Sequence, residues 1–236
     1  MSTAATVARR EIRAYFNSPV AYIVVTVFML LAGYLFWSQL FLEKQAELRG
    51  YFNLTPLVFT FIVPAITMRL VAEEKGSGTL EMLITMPVRD WEVVLGKFLA
   101  AMALLAAMVG MTLFYGLTLA LMGPIDRGPL ITGYLGLLLM GGAYMAIGVM
   151  ASSLTRNQIV AFILAFAISF ALFIFGQITQ FAPDWLAPVL AFLSIGNHFE
   201  SLSRGVIDSR DVIYYLSVMV VALVIATASL ESRKWK

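Results

Sequence analysis

The sequence predicts an all-α integral membrane protein with six transmembrane helices, and three observations lead to this prediction. The 236 residues are 61% hydrophobic and only 13% charged, against about 25% charged residues in an average soluble domain. Six stretches free of Asp, Glu, Lys and Arg approach or exceed the ~20 residues that a helix needs to cross the hydrocarbon. Lys and Arg also concentrate on alternate connections, as expected of a multi-pass protein. We therefore expect one membrane domain over residues 1–236.

The first predicted element is an interfacial helix at 4–17. Ala8, Ile12 and Tyr15 recur at steps of three and four, whereas Glu11 is predicted on the polar face. This pattern favours a helix lying on the inner membrane surface, with a frayed polar tail as the alternative. The following apolar run is too long for a cleaved signal sequence, so we expect it to remain as a helix.

The six predicted transmembrane helices follow in order, and a seventh apolar segment at 184–200 is too short to cross. That segment is predicted to be a re-entrant outer piece before the last helix. Its His198 is interpreted as a structural histidine, with a lipid headgroup contact as the alternative. The predicted spans are 19–42, 51–70, 95–122, 130–154, 157–180 and 212–230.

The predicted orientation places both termini in the cytoplasm. In this orientation eleven Lys and Arg residues lie inside and five outside, as the positive-inside rule requires. Two pairs of small residues spaced four apart, Ala106/Gly110 and Gly142/Ala146, are predicted to mark helix contacts within the chain.

The inner connection at 73–90 has the pattern of a short helix that needs a partner. Gly76 and Gly78 permit a sharp turn, and Ser77 or Thr79 can cap a helix that follows. Such a short helix is unstable alone, so its apolar face predicts a groove on another protein. The face and the end of this helix are formed by Leu80, Leu83, Ile84 and Pro87.

Composition excludes several kinds of chemistry. The chain has no cysteine, one histidine and a formal charge of +2, so we expect no catalytic residue, cofactor, metal site or nucleic-acid partner. No acidic or basic residue interrupts the six apolar runs on which the spans are based, which argues against an ion-driven carrier. An ATP-independent carrier or channel and an intramembrane enzyme are kept as alternatives.

The string E-E-K-G-S-G-T-L-E-M-L-I-T-M-P-V at 73–88, followed by L-G-K at 95–97, resembles the signature of ABC-2 type transporter permeases. N-S-P at 17–19 and P-A-I-T-M-R at 64–69 agree with it, and the likeness is greatest to the gliding-motility-associated permeases. The resemblance implies a six-helix, type V exporter-like half-transporter with an elbow helix and a short cytoplasmic coupling helix. It also implies a separate ATPase, and the chain itself carries no phosphate-binding P-loop motif.

Carried over residue by residue, the resemblance predicts an ATPase coupling interface. Solvated charge is the alternative for the two glutamates, and a positive-inside anchor is the alternative for the arginine. The interface comprises Glu73, Glu74, Lys75, Gly76, Gly78, Thr79, Leu80, Glu81, Leu83, Ile84, Pro87 and Arg156.

The resemblance further implies two cytoplasmic ATPase subunits, a second permease half and location in a bacterial inner membrane. Membrane lipid is a further candidate partner, and so is an auxiliary membrane protein with a periplasmic domain. A stripe of phenylalanines on the fifth span is predicted to line the dimer face or a pathway, with plain lipid-facing packing as the alternative. These residues are Phe162, Phe166, Phe170 and Phe173.

Overall fold

The protein is described here by a computed structural model covering residues 3–43, 47–79, 89–123 and 126–232. Within these ranges the chain is all-helical, as predicted. A π-helical turn at Gln39–Glu43 extends the second helix, and a 3₁₀ turn at Thr179–Phe181 extends the seventh. The α-helices are α1 (Thr3–Phe16), α2 (Pro19–Ser38), α3 (Arg49–Thr67), α4 (Ala72–Ser77), α5 (Asp90–Met122), α6 (Arg127–Leu154), α7 (Gln158–Ile178), α8 (Ala187–Leu193), α9 (Ile195–Ser203) and α10 (Ser209–Glu231).

Six helices among the described residues are long and apolar enough to cross a membrane, which confirms the predicted number. Their alternating directions put α1 and α4 at one end of the bundle, called here the inner end. The helices α8 and α9 lie at the opposite, outer end. The six spans are Pro19–Phe41, Arg49–Ser77, Asp90–Met122, Arg127–Leu154, Gln158–Phe181 and Ser209–Glu231.

Four of the six spans begin at a residue whose side chain caps the helix. Ser18 accepts a hydrogen bond from the Val20 amide, and Pro19 occupies the first turn of α2. Asn157 caps α7 through the Ile159 amide at 2.8 Å, and Asp208 caps α10 through the Arg210 amide at 2.9 Å. These short polar side chains satisfy amide groups that helix ends leave without a partner.

The core of the bundle is built around α6, which packs against α3, α5, α7 and α10. In the most apolar window of α6, 78% of residues are buried, compared with 17% in α7. Aromatic side chains fill the space beside it, including Phe52 against Tyr134 at 5.6 Å between ring centroids. The outer faces of α2, α7 and α10 are left to lipid or to another chain.

One of the two predicted pairs of small residues is wrong. Ala106 and Gly110 are exposed on α5, and a Cβ built on Gly110 would meet no atom within 4 Å. Gly142 and Ala146 do lie at a helix contact, since a Cβ on Gly142 would lie 2.6 Å from Met219. Spacing alone cannot say which side of a helix faces its neighbours, because both sides of a membrane helix are apolar.

Candidate functional site

The inner end contains a buried lysine, and the packing of α1 explains why it is buried. Gly96 of α5 lets α1 approach closely, because a Cβ there would lie 2.8 Å from the Val7 side chain and 2.9 Å from the Ala4 carbonyl oxygen. The adjacent Lys97 side chain is only 1% exposed. A buried ammonium is costly unless carboxylates pair with it.

Two carboxylates from different parts of the chain neutralise Lys97. Its Nζ lies 2.9 Å from Glu74 Oε1 of α4 and 3.3 Å from Glu11 Oε1 of α1. Arg10 Nη2 lies 2.7 Å from the same Glu11 oxygen and 3.4 Å from the same Glu74 oxygen. We call Arg10, Glu11, Glu74 and Lys97 the inner ionic cluster, and it joins α1, α4 and α5.

Placing Glu11 on the polar face of the first helix was therefore wrong. Ala4, Val7 and Ala8 form the buried side of α1, and Glu11 is largely buried with them. The reason is tertiary, since Lys97 stabilises a carboxylate that would otherwise turn to water. The hydrogen bond from Arg10 to Glu11 in turn raises the pKa of the guanidinium.

A second ion pair lies beside the inner ionic cluster. Arg69, at the end of the α3 span, donates to Glu73 Oε2 at 2.9 Å and to the Ser18 hydroxyl at 3.2 Å. The Tyr15 hydroxyl donates to the Ile66 carbonyl at 3.1 Å. Burial raises the pKa of Tyr15, so the phenol keeps the proton that it donates. The turn between α1 and α2 is thus tied to the end of α3.

The helix α4 is also held against the end of α6. The Ser152 hydroxyl accepts hydrogen bonds from the Val71 and Ala72 amides, each at 3.0 Å. The Lys75 ammonium donates to the Ser153 carbonyl. Together these contacts connect the segment after α3 to the last turn of α6.

Gly76 is not part of a turn, although the sequence predicts one there. It lies inside α4, where a Cβ would come within 2.9 Å of the Arg156 carbonyl oxygen. Gly78 ends α4 with φ at +75°, a conformation that favours glycine. The Ser77 and Thr79 hydroxyls lie 2.9 Å apart.

The predicted interface residues fall into two groups. Glu73, Glu74, Lys75 and Gly76 come together with the backbone of the exposed Arg156 at the inner end. The predicted coupling helix, Thr79 to Met86, lies outside the described residues except for Thr79, and so do the candidates Leu80, Glu81, Leu83, Ile84 and Pro87.

A cavity of about 300 Å³ opens between α1, α4 and the end of α3. Its lining includes Tyr15, Arg69, Glu73, Glu74 and Lys97. The charged groups that line the cavity are paired with one another. The second oxygen of Glu74, Oε2, is buried and has no hydrogen-bond partner among the described residues.

The phenylalanine stripe of α7 lies away from this site. Phe162, Phe166, Phe170 and Phe173 stack in sequence, with centroid distances of 6.2, 5.4 and 6.3 Å. Phe166 also contacts Phe61 of α3 at 4.7 Å. All four rings are half-buried, so each keeps an accessible face. Their role at a dimer face or in a pathway stays a prediction.

The sequence analysis missed Glu11 and Lys97 as members of a site. In the sequence, Lys97 was used only as part of the L-G-K string at 95–97, within the predicted span 95–122. The structure begins α5 at Asp90, with the Arg89 amide donating to Glu92 Oε2 at 3.1 Å, so Lys97 lies two turns inside the helix. The pattern that could have indicated this is a glycine beside a lysine within one continuous helix.

Six helices that are long and apolar enough to cross a membrane define a multi-pass membrane protein. A family model described as "ABC-2 family transporter protein" matches residues 38–229. The chain therefore belongs to the ABC-2 family of transporter permeases. Members of this family work with an ABC ATPase.

Two curated relatives carry the name "Probable multidrug ABC transporter permease YbhR", one from Escherichia coli K12 and one from Escherichia coli O157:H7. Each is 26% identical to this chain over 157 residues, which is 65% of the chain. The matched region spans 42% of the length of each relative. The likeness therefore covers less than half of those proteins.

Proposed function

We propose that this chain is the membrane-spanning permease subunit of an ABC-2 type transporter driven by two separate cytoplasmic ATPase subunits. The transporter would export a substrate, extract it from the membrane, or act on a periplasmic partner. Family membership supports the transporter class. The inner ionic cluster supports the coupling role, because it ties α4 to α1 and α5.

The inner end is proposed to face the cytoplasm of a bacterial inner membrane. The positive-inside distribution of Lys and Arg supports this orientation. In it α1 serves as the elbow helix, the segment at 73–90 as the coupling loop, and the α8–α9 segment as the re-entrant outer piece. A movement of the coupling loop would then reach α1 and α5 directly through Glu74, Glu11 and Lys97.

The half-transporter is proposed to pair with a second permease half. The exposed outer faces of α2 and α7 support this, since both helices present large apolar side chains such as Tyr34 and Ile159. A gliding-motility-like assembly, with an auxiliary protein that carries a periplasmic domain, is the narrower form of this proposal. Its support is the sequence of the second span and the loop that follows.

Glu73 and Glu74 have a different proposed role from direct pairing with the ATPase. Both are engaged within the chain, by Arg69 and Lys97 respectively. We therefore assign contact with the ATPase to the residues after Gly78 and to the exposed Arg156. The two glutamates fix the position of that contact surface relative to α1 and α5.

An ATP-independent carrier remains the second candidate, because Lys97 is a buried charge inside a helix that contains a candidate span. The length of α5 weighs against it. Its 33 residues reach about 50 Å, well beyond the ~30 Å hydrocarbon. Lys97 lies seven residues from the inner end of α5, within the part of the helix that exceeds this thickness.

Co-purification from the native membrane in mild detergent, with mass spectrometry and an ATPase assay, tests the proposal. A stoichiometric nucleotide-binding subunit and ATP hydrolysis are expected. Leu83→Asp should remove that subunit, because it would place a charge in an apolar groove. The control variant Leu121→Asp changes an exposed leucine at the outer end and should leave the subunit bound. ATP-independent flux by the isolated chain in liposomes would favour the carrier instead.

A further inference from the structure

The exposed face of α1 carries two arginines that form no ion pair with any described residue. Arg9 and Arg13 are four residues apart, so they lie on the same side of the helix. Both residues are exposed. Arg10, by contrast, contacts Glu11 and Glu74. Within the part of the chain that the structure describes, α1 therefore presents two positive charges without a carboxylate.

The glutamates that form ion pairs at this end are engaged elsewhere. Lys97 contacts Glu11 and Glu74, and Arg69 donates to Glu73. The buried position of Lys97 keeps the first two of these carboxylates on the side of α1 that faces α5. An anion from outside the chain can therefore bind the exposed arginines without displacing an existing ion pair.

Two contacts hold α1 near the level at which the spans end. In its first half, Val7 packs against Gly96 of α5. In its last turn, the Tyr15 hydroxyl donates to the Ile66 carbonyl, which belongs to the last turn of α3. Pro19 then begins α2, the first span. These contacts support the proposed interfacial position of α1, in which its exposed face lies at the level of lipid headgroups.

An exposed aromatic side chain lies on the same face as the two arginines. Phe16 follows Arg9 by seven residues, which is about two helical turns, and it is 48% exposed. Basic side chains beside an exposed aromatic ring are typical of surface helices that bind anionic membranes. The ring can enter the apolar part of the leaflet while the guanidinium groups remain among the phosphates.

We propose that Arg9 and Arg13 form a binding site for the phosphate of an anionic phospholipid in the leaflet at the inner end. Each guanidinium donates charge-assisted hydrogen bonds to phosphate oxygens. The site favours phosphatidylglycerol over phosphatidylcholine, because the headgroup cation of the latter cancels the charge of its own phosphate. The proposal rests on the interfacial position of α1 proposed above and does not depend on the ATPase.

Native mass spectrometry of the full chain in detergent measures this lipid preference. The probes are phosphatidylglycerol and phosphatidylcholine with the same acyl chains. The wild-type chain should bind phosphatidylglycerol more tightly, and each arginine should contribute about fivefold to the ratio of the two dissociation constants. Arg9→Gln and Arg13→Gln should therefore each lower the ratio about fivefold, and the double variant should lower it further.

Two further variants test whether the preference depends on charge at these two positions. Replacing Arg9 and Arg13 together by lysine should keep most of the preference, because the charge remains. The control variant Arg204→Gln removes an exposed arginine at the outer end and should keep the wild-type ratio. A wild-type chain without a preference, or a double glutamine variant with the wild-type ratio, would overturn the proposal.

A spin label tests the position of α1 separately. The sequence contains no cysteine, so Ala5→Cys, on the exposed face of α1, gives a single labelling position. In nanodiscs, collisions of the nitroxide with oxygen and with a water-soluble nickel complex should place it at headgroup depth. A label fully in water would contradict the interfacial position itself. A label at headgroup depth in a chain without a lipid preference would contradict only the arginine site.

Discussion

The inner ionic cluster and the His198–Asp211 contact are both buried polar groups, but they join the chain over very different distances. Lys97 and Glu11 are 86 residues apart, whereas His198 and Asp211 are 13 residues apart. The inner cluster also brings three helices together, and the outer contact holds two short helices against the start of one span. We infer that the inner cluster supports the whole inner end and that the outer contact holds a local segment.

The largest expected effect comes from Lys97→Met. This change leaves Glu11 and Glu74 without their buried cation, and breaking a buried pair costs about 3 kcal/mol or more. Thermal unfolding in detergent or nanodiscs should show a clear loss of stability. The control variant Arg204→Met removes an exposed partner of Glu200 and should change stability by less than about 1 kcal/mol. Equal losses in the two variants would contradict the comparison.

Gly96→Ala should have the next largest effect, because the new Cβ meets the backbone of α1 as well as Val7. We expect a loss of about 1–3 kcal/mol and a faster proteolytic release of α1. Gly110→Ala is the matched control on the same helix, since its Cβ meets open space. It should be neutral or slightly stabilising, because alanine favours helix. A Gly96→Ala protein as stable as Gly110→Ala would show that α1 does not pack on α5.

Glu74→Gln tests whether the cluster transmits movement. The variant loses the charged partner of Lys97, so stability should fall by about 1–2 kcal/mol. The ATPase activity of the purified complex should also change less between detergent and reconstituted lipid than it does in the wild type. Glu73→Gln is the control, because Glu73 is 45% exposed and pairs with Arg69. It should retain the wild-type response. If both changes had the same effect, coupling would depend on the overall charge of the loop and not on the pair between Glu74 and Lys97.

The smallest expected effect is that of Glu200→Gln at the outer end. Its pair with Arg204 is exposed, so the free energy of unfolding should change by less than about 0.5 kcal/mol. Ser201→Ala, which removes a donor to the buried Asp211, should cost about 1 kcal/mol. Thermal unfolding of both variants separates the exposed pair from the buried contact. A larger loss in Glu200→Gln would show that the exposed pair contributes more than its solvent exposure indicates.

The spans were predictable because each is a long run of apolar residues bounded by charges or caps. In the structure, the side chains of Ser18, Asn157 and Asp208 cap three of these helices. The site was only partly predictable. Glu74 was proposed from its motif, whereas the places of Lys97 and Glu11 depend on how α1 lies on α5.

The sequence by itself determined the class of protein, the six spans and the family, because hydropathy and motif are local properties of the chain. The tertiary structure alone decided which charges meet. Lys97 finds Glu11 and Glu74 only after α1, α4 and α5 have packed, and His198 finds two acceptors only between α8 and α10. Buried charges must be paired, but which partner they find depends on the packing of distant segments.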